Sequence, residues 1–341
     1  MFFSKRIFSP FRIIKFLFFF FLALALALIV YLMAGDGEFN SDIDFGVSFS
    51  QVSAEQMEID WRKAYSSILD DLGVKKFRLI AYWQKIETNK GEYVFDDLDW
   101  QINEAEKRGA EVVLAVGSKL PGFTGCYLPN WTKDLNNDEK KENALLFLKE
   151  VIKRYNSKSI IKAWQIEDDP FQRFSEECLG MDEEFLNKEI SLVNEFDFSD
   201  KPIILTTNGE IGSWFKLGVL TNNLGISIDR NNWSPYLGYF KYHIKPNFYQ
   251  KRISLTKRFV DLDNVVVIGL QAEPNSHKPV NEISLLEAER SMNLDIFRDT
   301  MHYIKRTGFD EVYIRGAEWW YYLRSEGNDS FWVEAKKIWS E

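Results

Sequence analysis

The sequence predicts a single (β/α)8 barrel, also called a TIM barrel, behind an N-terminal membrane-spanning helix. Two observations predict the barrel: eight short apolar segments alternate with amphipathic ones, and the apolar segments are rich in Val, Ile and Leu. Such segments are typical of strands in a parallel sheet that helices cover on both faces. The helix is predicted by an uncharged apolar stretch near the N-terminus.

The eight strands are expected at 44–50, 75–83, 111–117, 159–167, 202–208, 224–229, 264–271 and 311–320. The first helix is expected to open with a capping box of Ser53 and Gln56 and to end near Gly73. Further helices are expected at 96–109, 138–155, 182–195, from about 246, and at 283–307 and 330–339. Eight units in about 300 residues fit a closed barrel better than an open sheet.

The apolar stretch 16–33 follows four basic residues, Lys5, Arg6, Arg12 and Lys15. It is marginal in length for a membrane span and longer than the core of a signal peptide, which is about 7–15 residues. No clear Ala-x-Ala cleavage site follows, which favours a retained signal anchor over a cleaved signal peptide. We therefore expect a cytoplasmic stub and anchor at 1–35, a linker at 36–42 and the barrel at 43–341. The basic N-terminus places the barrel on the extracytoplasmic side.

Composition limits the partners. The chain has 42 Lys and Arg against 51 Asp and Glu, and its first 35 residues contain no acid. The rest is strongly acidic, which argues against nucleic acid as a partner. The sequence contains no Gly-x-Gly-x-x-Gly turn after the first strand and no P-loop, so we expect no nucleotide cofactor. The three histidines are isolated, so we expect no metal and no other cofactor. Cys126 and Cys178 either pair or remain thiols.

Polar and aromatic residues follow the predicted strands at their carboxyl ends, where (β/α)8 barrels build their active sites. Carboxylates and amides bind hydroxyl groups, and indoles cover the apolar faces of sugars. The set therefore suits a neutral polyhydroxylated ligand. Some of these residues could instead have purely structural roles: Arg78 could form an ion pair inside the barrel, Glu87 could lie in a solvated loop, and Trp319 and Trp320 could close the barrel rim. In chain order the candidates are Arg78, Trp83, Glu87, Asp168, Asp169, Asn208, Glu210, Asp229, Gln271, Glu273, Glu318, Trp319 and Trp320.

Several segments resemble the clan A retaining glycoside hydrolases, the cellulase and β-galactosidase-like barrels. The segment FRLIAYWQKIETNKGEYVFDDLDWQINEAEKRGAEVVLAVG at 77–117 is similar to their second and third strands. The motifs AWQIEDDPF, TTNGE, LQAEP and GAEWW resemble their fourth, fifth, seventh and eighth strands. The resemblance covers nearly the whole region after the anchor. It implies hydrolysis of O-glycosidic bonds in extracellular or cell-surface oligo- or polysaccharides by two carboxylates.

Carried over by position, the resemblance gives the acid/base role to Asp169 and the place of the preceding amide to Asp168. The sequence departs from the family here, because the family has Glu and Asn. On the seventh strand, one register places Gly269 at the nucleophile position, whereas the other uses Glu273. The sixth strand ends in Asp229, where many members have Tyr.

We therefore expect a membrane-anchored glycosidase in which Asp169 protonates the leaving oxygen and Glu273 attacks the anomeric carbon. Arg78 would keep the nucleophile ionised, and Trp83, Trp319 and Trp320 would shape the sugar subsites. Two alternatives stay open. One is a glycan-binding pseudoenzyme on the same barrel, and the other is a hydrolase with wider carboxylate spacing that inverts the anomeric carbon.

Overall fold

Eight parallel strands form a closed barrel in the computed structural model, which describes residues 10–122, 125–172 and 178–340. The barrel order is β1-β2-β3-β4-β5-β6-β9-β10 and back to β1, and β7 and β8 form a separate antiparallel hairpin. The predicted TIM barrel is confirmed. The strands are β1 (Asp44–Ser48), β2 (Lys76–Tyr82), β3 (Glu111–Gly117), β4 (Ile161–Ile166), β5 (Ile203–Asn208), β6 (Asn223–Ile228), β7 (Asn231–Ser234), β8 (Gly238–Lys241), β9 (Asn264–Gln271) and β10 (Glu311–Arg315).

Helices follow the strands around the outside of the barrel, as the amphipathic segments predict. The α-helices are α1 (Pro10–Met33), α2 (Gln51–Gln56), α3 (Trp61–Asp70), α4 (Trp83–Ile86), α5 (Asp96–Lys107), α6 (Asn137–Tyr155), α7 (Glu183–Phe196), α8 (Trp214–Gly218), α9 (Asn247–Thr256), α10 (Leu285–Ala288), α11 (Leu294–Ile304), α12 (Ala317–Ser325) and α13 (Ser330–Lys336). Short 3-10 turns lie at Asn130–Thr132, Val280–Glu282 and Lys337–Trp339.

Two of the predicted helices each prove to be a pair of shorter helices, because a capping residue starts a new helix within the predicted range. The first helix begins after Ser50 rather than Ser53, because the Ser50 hydroxyl accepts the Ser53 backbone N–H at 3.0 Å. It is then interrupted, and Asp60 caps α3 by accepting two backbone N–H groups. The predicted helix at 283–307 is likewise α10 and α11, since Asn293 accepts the Ile296 N–H at 2.9 Å and starts a new helix.

The eighth barrel strand is shorter than predicted, and this moves three candidate residues. β10 ends at Arg315, and Gly316 follows with φ of 110°. That left-handed conformation favours glycine, and α12 begins one residue later. Glu318, Trp319 and Trp320 therefore lie in the first turn of a helix and not on a strand.

Alternate residues of each barrel strand point into the barrel, and a buried layer of Val113, Ala163, Ile204, Ile268 and Tyr313 fills its lower half. Gly225 of β6 lies beside this layer. A Cβ atom there would lie 2.9 Å from the Cγ2 atoms of Ile204 and Thr206. The interior is therefore packed, and a ligand site can only lie at an end of the barrel.

Helix α1 is exposed and is long and apolar enough to cross a membrane. Its carboxyl end contacts α9, where Lys251 Nζ donates to the Tyr31 and Ala34 carbonyl oxygens at 2.6 Å each. Asp36 forms an ion pair with Lys245 at 2.9 Å. The segment between α1 and the barrel is thus attached to the barrel surface.

Cys126 and Cys178 form a disulfide, with their Cα atoms 5.4 Å apart. The bond joins the loop after β3 to the loop after β4, and the latter contains Asp168 and Asp169 near its start. The sequence places both cysteines in loops after adjacent strands, so that a bond was possible, but it left open whether they pair.

Replacing both cysteines by Ala is expected to lower the free energy of unfolding by about 2–4 kcal/mol, because the unfolded chain regains loop entropy. Denaturant unfolding of the full chain in detergent, with and without reductant, measures this. Reductant should destabilise the wild type and leave the double variant unchanged. Equal stability of the two proteins without reductant would contradict the prediction.

Candidate functional site

A buried arginine fixes the base of the carboxyl-end mouth. Arg78 of β2 is 1% exposed and points into the barrel. Its Nε donates to Gln165 Oε1 at 2.6 Å and one terminal nitrogen donates to the Ile268 carbonyl at 3.2 Å. The other terminal nitrogen donates to Asp168 Oδ1 at 2.8 Å. Arg78 therefore links β2, β4 and β9.

Asp168 is held in place by Arg78 and by a hydroxyl. Thr206 Oγ1 of β5 donates to the same Oδ1 atom at 3.0 Å, and Gln165 Nε2 lies 3.3 Å from it. From the sequence, Asp168 was expected to bind the ligand, and Arg78 was expected to keep a nucleophile ionised. In the structure the two residues bind each other, and among the described residues the hydrogen-bond partners of Arg78 are Gln165, Ile268 and Asp168 and do not include Glu273.

Asp169 lies next to this pair and is partly exposed at the mouth. Its backbone N–H donates to Thr206 Oγ1 at 3.0 Å, and its Oδ1 accepts the Thr207 hydroxyl at 3.3 Å. Burial raises the pKa of Asp169 to about 6, the Lys119 ammonium opposes this rise, and the Asp168 charge adds to it. Asp169 can therefore gain and lose a proton near neutral pH.

The backbone around Asp169 is strained. Glu167 and Asp169 both have left-handed conformations, with φ of 57° and 47°. Non-glycine residues adopt this region rarely, and such residues cluster at functional sites. The buried Glu167 carboxylate holds the turn by accepting the Ser118 and Lys119 backbone N–H groups at 2.8 and 2.6 Å. Gly117 makes room for it, because a Cβ atom there would lie 2.5 Å from Glu167 Cδ.

Arg315, which the sequence analysis did not select, occupies the opposite side of the mouth. Its guanidinium donates to Asp229 Oδ1, and its Nε lies 3.8 Å from Glu273 Oε1. Burial raises the pKa of Glu273, Arg315 opposes the rise, and Asp229 adds to it. Glu273 keeps about a third of its side chain exposed. It is thus a second carboxyl group at the mouth.

Gly269 has no side chain to place at the mouth, and Arg315 lies against it. A Cβ atom on Gly269 would be 3.3 Å from Arg315 Cδ and 3.7 Å from Ser227 Cβ. This is the position that one strand register assigns to the nucleophile. In that register the nucleophile side chain would begin at the Cβ position of residue 269, and the side chain of Arg315 lies beside this position.

Asn208 and Glu210 form a buried turn after β5. Asn208 Oδ1 accepts the Glu210 and Ile211 backbone N–H groups at 3.0 and 2.8 Å. Glu210 Oε1 accepts the Tyr249 hydroxyl at 2.9 Å and the Asp229 N–H at 3.2 Å. Burial raises the pKa of Glu210 to about 8, and the Asp229 charge adds to this. These two residues position Asp229.

Gln271 and Glu318 are also buried supports. Gln271 Oε1 accepts the Asn231 N–H at 3.0 Å, and its Nε2 donates to the Asn231 carbonyl at 2.7 Å. Glu318 accepts the Ser50 backbone N–H. Burial raises the pKa of Glu318 to about 8. Both side chains are at most 2% exposed, so they fix the wall around Glu273.

The aromatic candidates are core residues in this structure. Trp83 has no exposed surface and donates to Glu87 Oε2 at 2.6 Å, while Glu87 is 2% exposed. Trp320 is also fully buried and donates to the Ala272 carbonyl at 2.9 Å, and Trp319 is 3% exposed. Side chains this deeply buried support the mouth and do not line it. This corrects the ligand-contact roles that the sequence suggested for them.

Two charged residues of the mouth were missed by the sequence analysis. Val312 and Ile314 of β10 are buried on the outer face of the barrel. Because side chains alternate between the two faces of a strand, Arg315 points into the barrel. Lys119 follows β3, and its ammonium donates to the Asp169 and Gln172 carbonyls. No sequence pattern indicated Lys119, because its partners come from the next strand's loop. Among the described residues, no group of three His, Cys, Asp or Glu is placed to hold a metal ion.

Several solved structures share this fold at low identity. The GH5_18 protein of Bifidobacterium longum, in complex with Manb1-4GlcNAc, matches with a TM-score of 0.56 and 12% identity over 80% of this chain and 68% of that one. The exo-beta-1,4-mannosidase of an Opitutaceae bacterium matches with a TM-score of 0.53 and 10% identity over 82% and 53%. A beta-galactosidase from a psychrophilic Marinomonas matches with a TM-score of 0.51, 11% identity and coverage of 86% and 62%.

The class that the fold and these neighbours define is a closed (β/α)8 barrel. At 10–12% identity the neighbours show the fold alone. No family model matches the chain, and no curated protein matches it either.

Replacing Arg78 by Met is expected to lower the free energy of unfolding by about 3–5 kcal/mol, because Gln165 and the Ile268 carbonyl lose a buried donor and Asp168 loses its charged partner. The exposed pair of Arg62 and Asp97 provides the control, and Arg62→Met should cost less than about 1 kcal/mol. Denaturant unfolding of both variants checks this. Similar losses in the two variants would contradict the assignment.

Glu210→Gln is expected to change how stability depends on pH. The pKa of Glu210 in the folded protein is about 8, above its ordinary value of 4.5. The stability that its protonated carboxyl group contributes is therefore fully present below pH 4.5 and is lost as the pH rises through 8. The stability of the wild type should therefore fall more between pH 5 and 8 than that of Glu210→Gln. Glu111→Gln, at the amino end of β3, is the control and should follow the wild type. Parallel pH profiles of Glu210→Gln and wild type would contradict the prediction.

Proposed function

We propose that the protein is a membrane-anchored carbohydrate-active barrel whose mouth binds an oligosaccharide and whose Asp169 and Glu273 hydrolyse an O-glycosidic bond. The observation that carries this proposal is Asp169 itself. It lies at the end of the fourth barrel strand, remains partly exposed, and has a pKa of about 6 that suits a general acid. The shared fold of the glycosidase structures supports the same proposal.

In this proposal Asp169 donates its proton to the leaving oxygen and later accepts one from water. Thr206 and Thr207 fix its position, and the charge of Asp168, which Arg78 holds in place, adds to the rise in its pKa. Glu273 is the second carboxyl group, and the Arg315 charge favours its ionised form. A carboxyl separation of about 5–5.5 Å would make Glu273 a nucleophile, and about 6.5–9.5 Å would let it activate water.

The remaining candidates act through these two carboxyl groups. Asn208 and Glu210 position Asp229, and Gln271 and Glu318 support the wall that carries Glu273. Asp229 neutralises Arg315 and is accessible enough to bind a sugar hydroxyl. We expect the ligand to be a neutral oligo- or polysaccharide, since the exposed groups of the mouth are hydrogen-bonding carboxylates.

A second candidate function is glycan binding without hydrolysis. It is favoured by Gly269, which removes one possible nucleophile position, and by Arg315, whose charge lies beside that position. A cation there would oppose the positive charge that develops on the sugar during cleavage unless Asp229 and Glu273 neutralise it. The same mouth would then hold a glycan without cleaving it.

The proposed location is outside the cytoplasm, with α1 as a membrane anchor. The basic residues Lys5, Arg6, Arg12 and Lys15 precede the apolar helix, which favours a cytoplasmic N-terminus. The disulfide between Cys126 and Cys178 supports an oxidising compartment for the barrel. A cleaved signal sequence would give the same side of the membrane without the anchor.

Asp169→Asn and Glu273→Gln should each lower hydrolysis by about 10²–10⁴-fold, because each removes a proton-transfer or attacking group. Release of the aryl group from mannosyl, glucosyl, galactosyl and xylosyl β-glycosides measures the rate. Glu111→Gln at the opposite end of the barrel is the control and should match the wild type.

The pH profile adds a second criterion. Activity should fall as pH rises above about 6, because Asp169 must be protonated to act as an acid. Turnover that is equal in the wild type and both variants would contradict the hydrolase. Oligosaccharide binding by the wild type with no turnover would leave the glycan-binding function in its place.

A further inference from the structure

The hairpin of β7 and β8 is attached to the side of the mouth that carries Asp229 and Glu273. It begins two residues after Asp229, and Gln271 binds both backbone groups of Asn231. Asn232 Nδ2 donates to the Asp229 carbonyl at 2.5 Å. Asn275, two residues beyond Glu273, donates from Nδ2 to Asn232 Oδ1 at 3.0 Å. The hairpin is therefore a rigid extension of the rim and not a free loop.

This extension carries a tryptophan beside the loop that holds Glu273. Trp233 pairs with Tyr239 across the hairpin. Its ring lies 5.1 Å from the His277 ring at an interplanar angle of 37°. His277 Nδ1 is 3.4 Å from Glu287 Oε1, which also accepts the Tyr239 hydroxyl at 3.1 Å. Trp233 is thus fixed by its neighbours while part of its side chain stays exposed.

Unlike the buried indoles of the barrel wall, Trp233 has surface to offer a ligand. Its surroundings are the amides of Asn232 and Asn275 and the carboxylate of Glu287, all of which hydrogen-bond hydroxyl groups. A fixed aromatic surface next to such groups suits a sugar ring, which has an apolar face and polar edges.

We propose that Trp233 forms an outer sugar subsite, where it stacks on a neutral sugar ring of a chain that extends from the mouth across the hairpin. The inference rests on the proposed function, because it needs an oligosaccharide in the mouth. It makes Trp233 a determinant of chain length: short ligands occupy the mouth alone, and longer ones also reach the hairpin.

The test measures binding of the full chain in detergent to immobilised neutral β-linked gluco-, manno-, xylo- and galacto-oligosaccharides of one to six residues. The wild type is expected to bind longer chains more tightly than short ones of the same series. Trp233→Ala should weaken binding of the longer chains by about 3–10-fold and leave the short ones unchanged. Trp233→Phe, which keeps an aromatic ring, should restore most of the preference.

Tyr236→Ala is the matched control, since Tyr236 is an aromatic residue of the same hairpin that is 94% exposed at its tip. It should bind like the wild type, and thermal unfolding should be unchanged in all three variants. If Trp233→Ala keeps the preference for long chains, or if Tyr236→Ala loses it equally, the subsite is wrong while the proposed function stands. If the wild type binds none of these sugars, the proposed function fails and the subsite fails with it.

Discussion

The hydrogen-bonded ion pair of Arg78 and Asp168 is the interaction on which the mouth depends. It lies inside a packed barrel, and it joins β2 to the loop after β4 while a third bond reaches β9. A buried charge pair of this kind gives little net stability, but removing one partner is costly. Its main consequence is geometric. It fixes Asp168 and thereby presents the neighbouring Asp169 to the solvent-accessible mouth.

A second ion pair, between Arg315 and Asp229, defines the other side of the mouth. Arg315 lies against Gly269, and Glu273 is placed further along the loop. Burial raises the pKa of Asp169 and of Glu273, and a neighbouring carboxylate adds to each rise, Asp168 at Asp169 and Asp229 at Glu273. A cation opposes the rise on each side, Lys119 at Asp169 and Arg315 at Glu273. Each side of the mouth therefore pairs a buried carboxyl group with one like charge and one opposite charge.

Much of the fold was predictable because its signals are local. Apolar segments and caps located eight strands, and the position of Asp168 and Asp169 at a strand end followed from that count. The shortened eighth strand was not predicted, because GAEWW is compatible with strand or helix and Gly316 decides between them. The β7–β8 hairpin and the attachment of α1 to α9 were also not predicted, and the pairing of the two cysteines was left open.

The roles of individual side chains were less predictable because burial depends on distant partners. Trp83 stacks on Phe147 of α6 with ring centroids 5.6 Å apart, a contact that no short motif reveals. Trp233 is the opposite case. Nothing in its local sequence marked it, and only the hairpin places it beside the Glu273 loop. The side chains at the strand ends and the family resemblance indicated a sugar-binding protein, but they did not show which tryptophans are accessible to a ligand.

The most direct measurement is a crystal structure of the Asp169→Asn chain soaked with the neutral oligosaccharide that it binds. We predict a sugar ring between residue 169 and Glu273, with the Asp229 carboxylate at its edge. The amino end of the barrel offers the alternative location, a depression of about 250 Å³ that includes Lys76 and Glu311 in its lining. A sugar bound there, with the carboxyl-end mouth empty, would contradict the account.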